Sequence, residues 1–335
     1  MTDYTFFSAL LDCVRQGGTL VLCTVVDSAG SAPRGAGARM ALLPDGAWLG
    51  TVGGGAVEHL VQERAAQVLA GTAQSGLVHH SLGGEGSSTG MVCGGAVTVC
   101  IQSLGPQQLS QLERLVDFLK SGTPCLLLLD KVNEAPGFSV YGEGETPSDL
   151  SARPQTAPLL EEDMYTEPMG QDGVLYLFGG GHVGQALAPM LAQVGFRVVV
   201  FDSREELARP ERFPGAEQVV RGSFDRIGEQ VQLTSRDYAV VMTPGHRNDL
   251  EVLCQVLDQN PYYVGCMGSR RKRAFLREEL ARRGFSQAQM DAIHLPIGLD
   301  IGGETPAEIA VSVTAQLIQV RSGRLGRRGG GPCPA

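Results

Sequence analysis

What this chain lacks narrows it before any motif is read. No apolar run approaches the ~18 residues of a membrane span, and the N-terminus lacks a positive region followed by an apolar stretch and a small-residue cleavage site. A cytoplasmic protein without membrane contact is the expectation. Cysteine is sparse: eight in 335 residues cannot frame a disulfide scaffold. No CxxC pair or HExxH occurs, which argues against a structural zinc site and a zincin. Positive charge is in deficit, with 27 basic against 36 acidic residues and a net charge of −9, so general nucleic-acid binding is opposed. The local stretch Arg270-Arg271-Lys272-Arg273 still offers cations to a phosphate. Glycine, by contrast, is abundant: 45 residues, about twice the ~7% background. The glycines gather in short runs between apolar segments with no three-residue period, so they read as functional turns.

A chain of this length suits two cores at roughly 100 to 200 residues per domain. Residues 4–16 carry Phe6, Phe7, Leu10, Leu11 and Val14 at helical spacing, and residues 19–27 are a dense β-branched run, as in a buried strand. Strands are expected near 40–43, 48–52, 77–82, 96–102 and 123–131, with helices at 56–69 and 106–120. After Tyr141 the chain turns acidic and carries Pro147, Pro154, Pro158 and Pro168. The expected organisation is therefore a smaller domain at 1–142, a linker at 143–172, a second domain at 173–322 and a flexible Gly/Arg tail at 323–335. In the second domain, strands at 174–178, 197–201, 218–221, 239–243 and 262–266 alternate with helical segments. A parallel sheet with helices on both faces covers them most simply. Thr305 as N-cap, Pro306 at the first position and Glu308 at the third mark the start of the final helix.

Chemistry is best sought at the glycine turns. Gly179-Gly180-Gly181-His182-Val183-Gly184 lies between a strand and a helix, the context of a dinucleotide-type phosphate loop. Gly179 allows the tight turn, Gly181 lets a phosphate approach the backbone, and Gly184 lets the helix pack on the sheet. Asp202, 23 residues after Gly179, is near the ~20-residue spacing of a ribose-binding carboxylate. Gly53-Gly54-Gly55 likewise precedes a helix and reads as a second anion corner. His182 reads either as a ligand contact or as a cap on its neighbouring strand. His246, in Thr243-Pro244-Gly245-His246-Arg247, reads as a phosphate contact or a loop hydrogen bonder. Neither has an acid or nucleophile partner in sequence, so no catalytic constellation emerges. Cys266 sits just before a cation-rich helix start and reads either as a thiolate favoured by those cations, with Ser269 able to cap and Arg270 to bind an anion, or as a buried cysteine followed by a solvated basic face. Cys93, in a glycine loop, is the other exposed-thiol candidate, and such thiols suit a soft metal. Glu304, ahead of the last helix, either orients a ligand or complements the helix dipole.

Several motifs together resemble the XdhC/CoxI family of accessory proteins for molybdenum hydroxylases. They are Gly30-Ser31-Ala32-Pro33-Arg34, Gly50-Thr51-Val52-Gly53-Gly54-Gly55-Ala56-Val57-Glu58 and Cys93-Gly94-Gly95. Leu177-Phe178-Gly179-Gly180-Gly181-His182-Val183-Gly184, Gly265-Cys266-Met267-Gly268-Ser269-Arg270-Arg271-Lys272 and Gly298-Leu299-Asp300-Ile301-Gly302-Gly303-Glu304-Thr305-Pro306 follow in order. The resemblance implies an α/β fold: a C-terminal Rossmann-like parallel sheet preceded by a smaller mixed α/β domain. It implies a noncatalytic chaperone that binds the molybdenum cofactor, as molybdopterin or a dinucleotide form. That chaperone would support sulfuration by a cysteine desulfurase, insert the cofactor into a xanthine dehydrogenase-type client and self-associate as a homo-oligomer such as a dimer. It extends the set of cofactor contacts to Arg34. The chain departs from the family pattern at Ala56, where many relatives carry cysteine, and at Gln102, where they carry an acid. An NAD(P)-dependent oxidoreductase and a nucleotide- or redox-sensing interaction protein stay open as alternatives.

Overall fold

A computed structural model of the chain describes residues 1–30, 32, 34–81, 95–147, 150, 157–170 and 173–324. It divides into two compact units, Met1–Gln171 and Asp172–Ala335. In the first, α1 (Asp3–Arg15) starts where the Thr2 hydroxyl accepts from the Thr5 N–H, and it buries Phe6, Phe7, Leu10, Leu11 and Val14 along one stripe. Next come β1 (Leu20–Ala29), β2 (Arg39–Leu42), β3 (Trp48–Gly50), α2 (Gly55–Leu69), β4 (Gly76–Ser81), β5 (Ala96–Leu104) and α3 (Leu109–Ser121). The five strands form an antiparallel sheet in the order β3-β2-β1-β5-β4. Its central strand β1 is buried on both faces, which is why it reads as an unbroken apolar run. Val21, Cys23 and Val25 enter the core beneath α2. Leu20 and Leu22 enter the core shared with α1 and α3.

A second antiparallel sheet combines β6 (Cys125–Asp130), β7 (Ser139–Gly142), β8 (Leu159–Glu161) and β9 (Met164–Met169) in the order β7-β6-β9-β8. The linker expected at 143–172 therefore needs correction, because β8 and β9 lie inside it and Tyr165 and Met169 belong to the first unit's core. Proline misled the sequence argument. Pro168 lies in β9 opposite Leu126 of β6, whereas β8 pairs only as far as Thr166. Pro168 thus sits where β9 has a neighbour on one side only among the described residues, a place that tolerates a missing N–H. The two sheets are joined by a buried ion pair: the Arg39 guanidinium meets the Glu167 carboxylate and reaches Asp3 at 3.2 Å. The Tyr165 hydroxyl donates to Glu167 at 2.7 Å, and Arg39 lies 5.2 Å from the centre of the Phe7 ring. Burial alone would lower the Arg39 pKa, but the charges of Glu167 and Asp3 outweigh it and raise it.

The second unit is built on β10 (Val174–Phe178), β11 (Arg197–Asp202), β12 (Gln218–Arg221), β13 (Tyr238–Val241), β14 (Tyr263–Cys266) and β15 (Ile293–His294). All six are parallel in the order β12-β11-β10-β13-β14-β15. The helices are α4 (His182–Gln193), α5 (His246–Gln259), α6 (Arg270–Arg282), α7 (Gln287–Asp291) and α8 (Pro306–Arg324). Helices α4 and α8 pack on one face through Leu187, Leu191, Val313 and Leu317. Helices α5, α6 and α7 cover the other through Leu253, Val256, Leu276 and Met290. This is the expected C-terminal parallel sheet flanked by helices, preceded by smaller mixed α/β structure. Strand β15 went unforeseen because two residues are too few to show a period. The strand order reverses between β10 and β13, and such a switch point opens a crevice beyond the carboxyl ends of the two strands. Helix α8 begins with a reciprocal cap: Glu308 N–H donates to Thr305 Oγ1 at 3.3 Å and Thr305 N–H to Glu308 Oε2 at 2.9 Å. Residues 325–335 of the expected tail lie outside the described residues, and α8 occupies the tail's first two positions.

Candidate functional site

At the switch point, β10 is followed by Gly179 with φ +120°, where a Cβ would stand 2.3 Å from the Met242 carbonyl oxygen. Only glycine fits there. A Cβ on Gly184 would meet the Gly179 carbonyl oxygen at 2.3 Å, so the first turn of α4 lies directly against the end of β10. Gly181 differs from both: a Cβ there meets nothing within 4 Å. Its carbonyl accepts the first intrahelical bond, from Gln185 N–H at 2.9 Å, so the N–H groups of His182, Val183 and Gly184 precede the helix ladder. Space, backbone donors and the positive end of the helix dipole coincide at this corner. His182 is exposed at the first helical position.

Asp202 ends β11 beside this loop and is fully buried. Its carboxylate accepts from Gly180 N–H at 2.7 Å and from the Arg204 Nε and Nη2 at 2.9 and 2.8 Å. Burial would raise its pKa, but these bonds hold it below the usual carboxylate range. The place expected for a ribose-binding acid therefore presents an acid bound by the chain's own donors.

Beyond β13, Thr243 donates to Asp249 Oδ1 through both its N–H at 3.0 Å and its hydroxyl at 2.8 Å. The other Asp249 oxygen forms an ion pair with Lys272 of α6, whose ammonium also donates to the Met267 carbonyl at 2.6 Å. Asp249 is fully buried, so this pair ties the loop after β13 to the loop after β14. Sequence reading missed it. The available signal was an acid among Leu250, Val252 and Leu253 on the buried side of a helix, which demands a partner. His246 opens α5, is exposed, and stands edge-on to Phe275 with ring centres 5.0 Å apart.

Of the two readings of Cys266, its surroundings favour the buried cysteine over the thiolate. Cys266 is fully buried in the core beneath α5 and α6, and burial pushes its thiol up to about 12, with Asp249 adding to the rise. Lys272, the cation meant to lower it, is neutralised by Asp249. A thiol in this state stays protonated and packs as a small apolar residue. Cys93 lies outside the described residues. Ser269 caps α6 by accepting from Lys272 N–H at 3.3 Å, and Arg270 is that helix's first residue. Glu304 lies on the loop after β15 with its side chain exposed and its N–H donated to Glu308 at 3.0 Å. The carboxyl edge of one parallel sheet thus assembles Gly179, Gly181, His182, Gly184, His246, Ser269 and Arg270.

The first unit treats its glycine corner differently. Glu58, one turn into α2, turns its carboxylate back to the corner. Its Oε2 accepts from the Thr51 hydroxyl, from Val52 N–H at 3.1 Å and from Gly54 N–H at 3.0 Å. These bonds outweigh burial and lower the Glu58 pKa. The anion corner expected at Gly53, Gly54 and Gly55 is accordingly filled by the protein's own carboxylate. Arg34 is exposed in this same unit.

Residues 175–317 match the family model described as the XdhC Rossmann domain, and residues 13–81 match that of the XdhC and CoxI family. Three curated relatives match along most of the chain. One is the uncharacterized protein YqeB of Escherichia coli (strain K12), 28% identical over 93% of this chain, which spans only 45% of that relative's length. Another is a probable xanthine dehydrogenase subunit of Bacillus subtilis (strain 168), 29% identical over 95% of this chain and 97% of the relative. The third is the molybdenum cofactor insertion chaperone PaoD of Escherichia coli (strain K12), 22% identical over 95% of this chain and 88% of the relative. Among solved structures, a xanthine dehydrogenase from Bacillus halodurans superposes with a TM-score of 0.80 at 24% identity, covering 100% of this chain and 98% of that one. That likeness is one of fold.

Proposed function

The chain belongs to the XdhC and CoxI family, and from that premise we propose that it is an accessory protein which holds the molybdenum cofactor by its phosphate and delivers it to a molybdenum hydroxylase. The observation that carries this reading is the open corner at Gly181, where backbone donors at the start of α4 face space at the strand-order switch. A phosphate is the group such a corner stabilises best. The names of two relatives, a cofactor insertion chaperone and a probable xanthine dehydrogenase component, support the same cargo and a xanthine dehydrogenase-type client.

The phosphate end of the cofactor fits the residues present at the Gly181 corner. Among the described residues no group of three or more His, Cys, Asp or Glu side chains is arranged to hold a metal ion, and Cys266 is a core thiol. Retention on this reading comes from the Gly181 corner and the helix start at His182, with His246, Ser269 and Arg270 along the same edge. The cofactor supplies the redox chemistry of the client once inserted. This chain's part is to bind the anionic end and release it. Sulfuration by a cysteine desulfurase while the cofactor is held, and self-association of the carrier, belong to the same proposal.

The test is retention of molybdopterin by the purified full chain after gel filtration, read as pterin fluorescence following oxidation. Wild type is expected to retain it, and Gly181→Leu to lose most of it while keeping its circular dichroism and thermal midpoint. Equal retention by a folded Gly181→Leu would remove the corner from the binding site.

A further inference from the structure

The adenosine half of a nicotinamide dinucleotide is recognised in this kind of fold by an acid at the end of the second strand, which accepts hydrogen bonds from the ribose hydroxyls. Asp202 stands at that place, yet both of its oxygens are taken. Oδ1 accepts from the Arg204 backbone N–H at 2.9 Å and from its Nε at 2.9 Å. Oδ2 accepts from the Gly180 N–H at 2.7 Å and from Arg204 Nη2 at 2.8 Å. A carboxylate offers about four acceptor positions in all, so these four donors exhaust it. Two of them are backbone groups fixed by the turns. The other two belong to one guanidinium, held as a planar fork on the carboxylate. The Asp202 side chain is 0% exposed and that of Arg204 is 35% exposed, so the arginine forms the outer surface where a ribose would approach.

We propose that Arg204 is a specificity-determining residue that closes the ribose subsite, so that this crevice takes a phosphate-bearing ligand lacking adenosine and excludes NAD(H). The inference deepens the reading above and rests on it for the use of the Gly181 corner. Its physical content is separate: the acceptors that a ribose diol needs are occupied by the chain's own side chain, and displacing that side chain breaks two charge-assisted bonds at a buried acid.

The experiment titrates NADH and NADPH into the full chain and follows nicotinamide fluorescence for wild type, Arg204→Ala and the double variant Arg204→Ala, Asp202→Asn. Thermal midpoints report folding. Wild type is expected to show no saturable binding of either nucleotide. Arg204→Ala is expected to gain NADH affinity by about tenfold or more, the scale of two regained hydroxyl-to-carboxylate bonds, and the double variant to lose that gain. Should Arg204→Ala fail to fold, Arg204→Met, which keeps the aliphatic stem, takes its place. Saturable binding of NADH or NADPH by wild type overturns the proposal, as does an unchanged affinity in the folded arginine variant. Molybdopterin retention by wild type, measured in parallel, separates the two claims. Loss of retention with nucleotide exclusion intact defeats the carrier reading alone, and retention together with NADH binding defeats the Arg204 proposal alone.

Discussion

At the scale of single residues, the two glycine corners differ in one side chain. Glu58 brings a carboxylate to the corner before α2, whereas space is left in front of Gly181 at the corner before α4. Glu58 is thereby a structural anion, and its lowered pKa sets a pH dependence. Its folded pKa lies below the unfolded value of about 4.3, so its stabilising effect is complete above that value and is lost as pH falls through the folded one. Glu58→Gln is expected to cost about 1 kcal/mol at pH 7. The gap to wild type should close towards acid in urea titrations. A gap that stays constant with pH would show that the charge is not what the corner uses. Cys266 teaches the opposite lesson: its sequence neighbours suggested a reactive thiolate, and burial made it a core residue.

At the scale of elements, the contact of β10 with α4 gives one substitution two outcomes. Gly184→Ala places a Cβ 2.3 Å from the Gly179 carbonyl oxygen, so α4 must shift from the strand and the unit should lose about 1 to 3 kcal/mol. Gly181→Ala meets open space with φ at −69°, which any residue adopts, and should leave the unfolding free energy within about 1 kcal/mol of wild type. Differential scanning calorimetry of the two variants checks the contrast, and equal losses would mean that α4 is not seated as described. The glycine pattern was legible in the sequence as a strand, a loop and a helix. It did not reveal that Gly184 guards packing while Gly181 guards access, because both are glycines in one short motif. Strands β8 and β9 were hidden for a related reason: Pro168 signals a break locally and is acceptable where β9 has one neighbour among the described residues.

At the scale of the whole molecule, the cores fall into two sets, one pair within Met1–Gln171 and one pair within Asp172–Ala335. Chains of this organisation depart from a single two-state transition. Heating is expected to show two transitions, and Lys272→Met should lower one of them alone. Removing that lysine strands the buried Asp249 carboxylate at a cost of about 3 kcal/mol. A uniform downward shift of the entire profile would argue that the units unfold as one. The amino-acid sequence determined by itself whatever depends on near neighbours along the chain: the apolar stripe of α1, the cap that opens α8, and the strand-loop-helix order around Gly179 to Gly184. Only the tertiary structure decided which donors and acceptors meet. Glu58 closes one corner, Arg204 turns back on Asp202 and Lys272 crosses to Asp249 because hydrogen bonding and desolvation act over a few ångströms in space, and sequence spacing does not encode those distances.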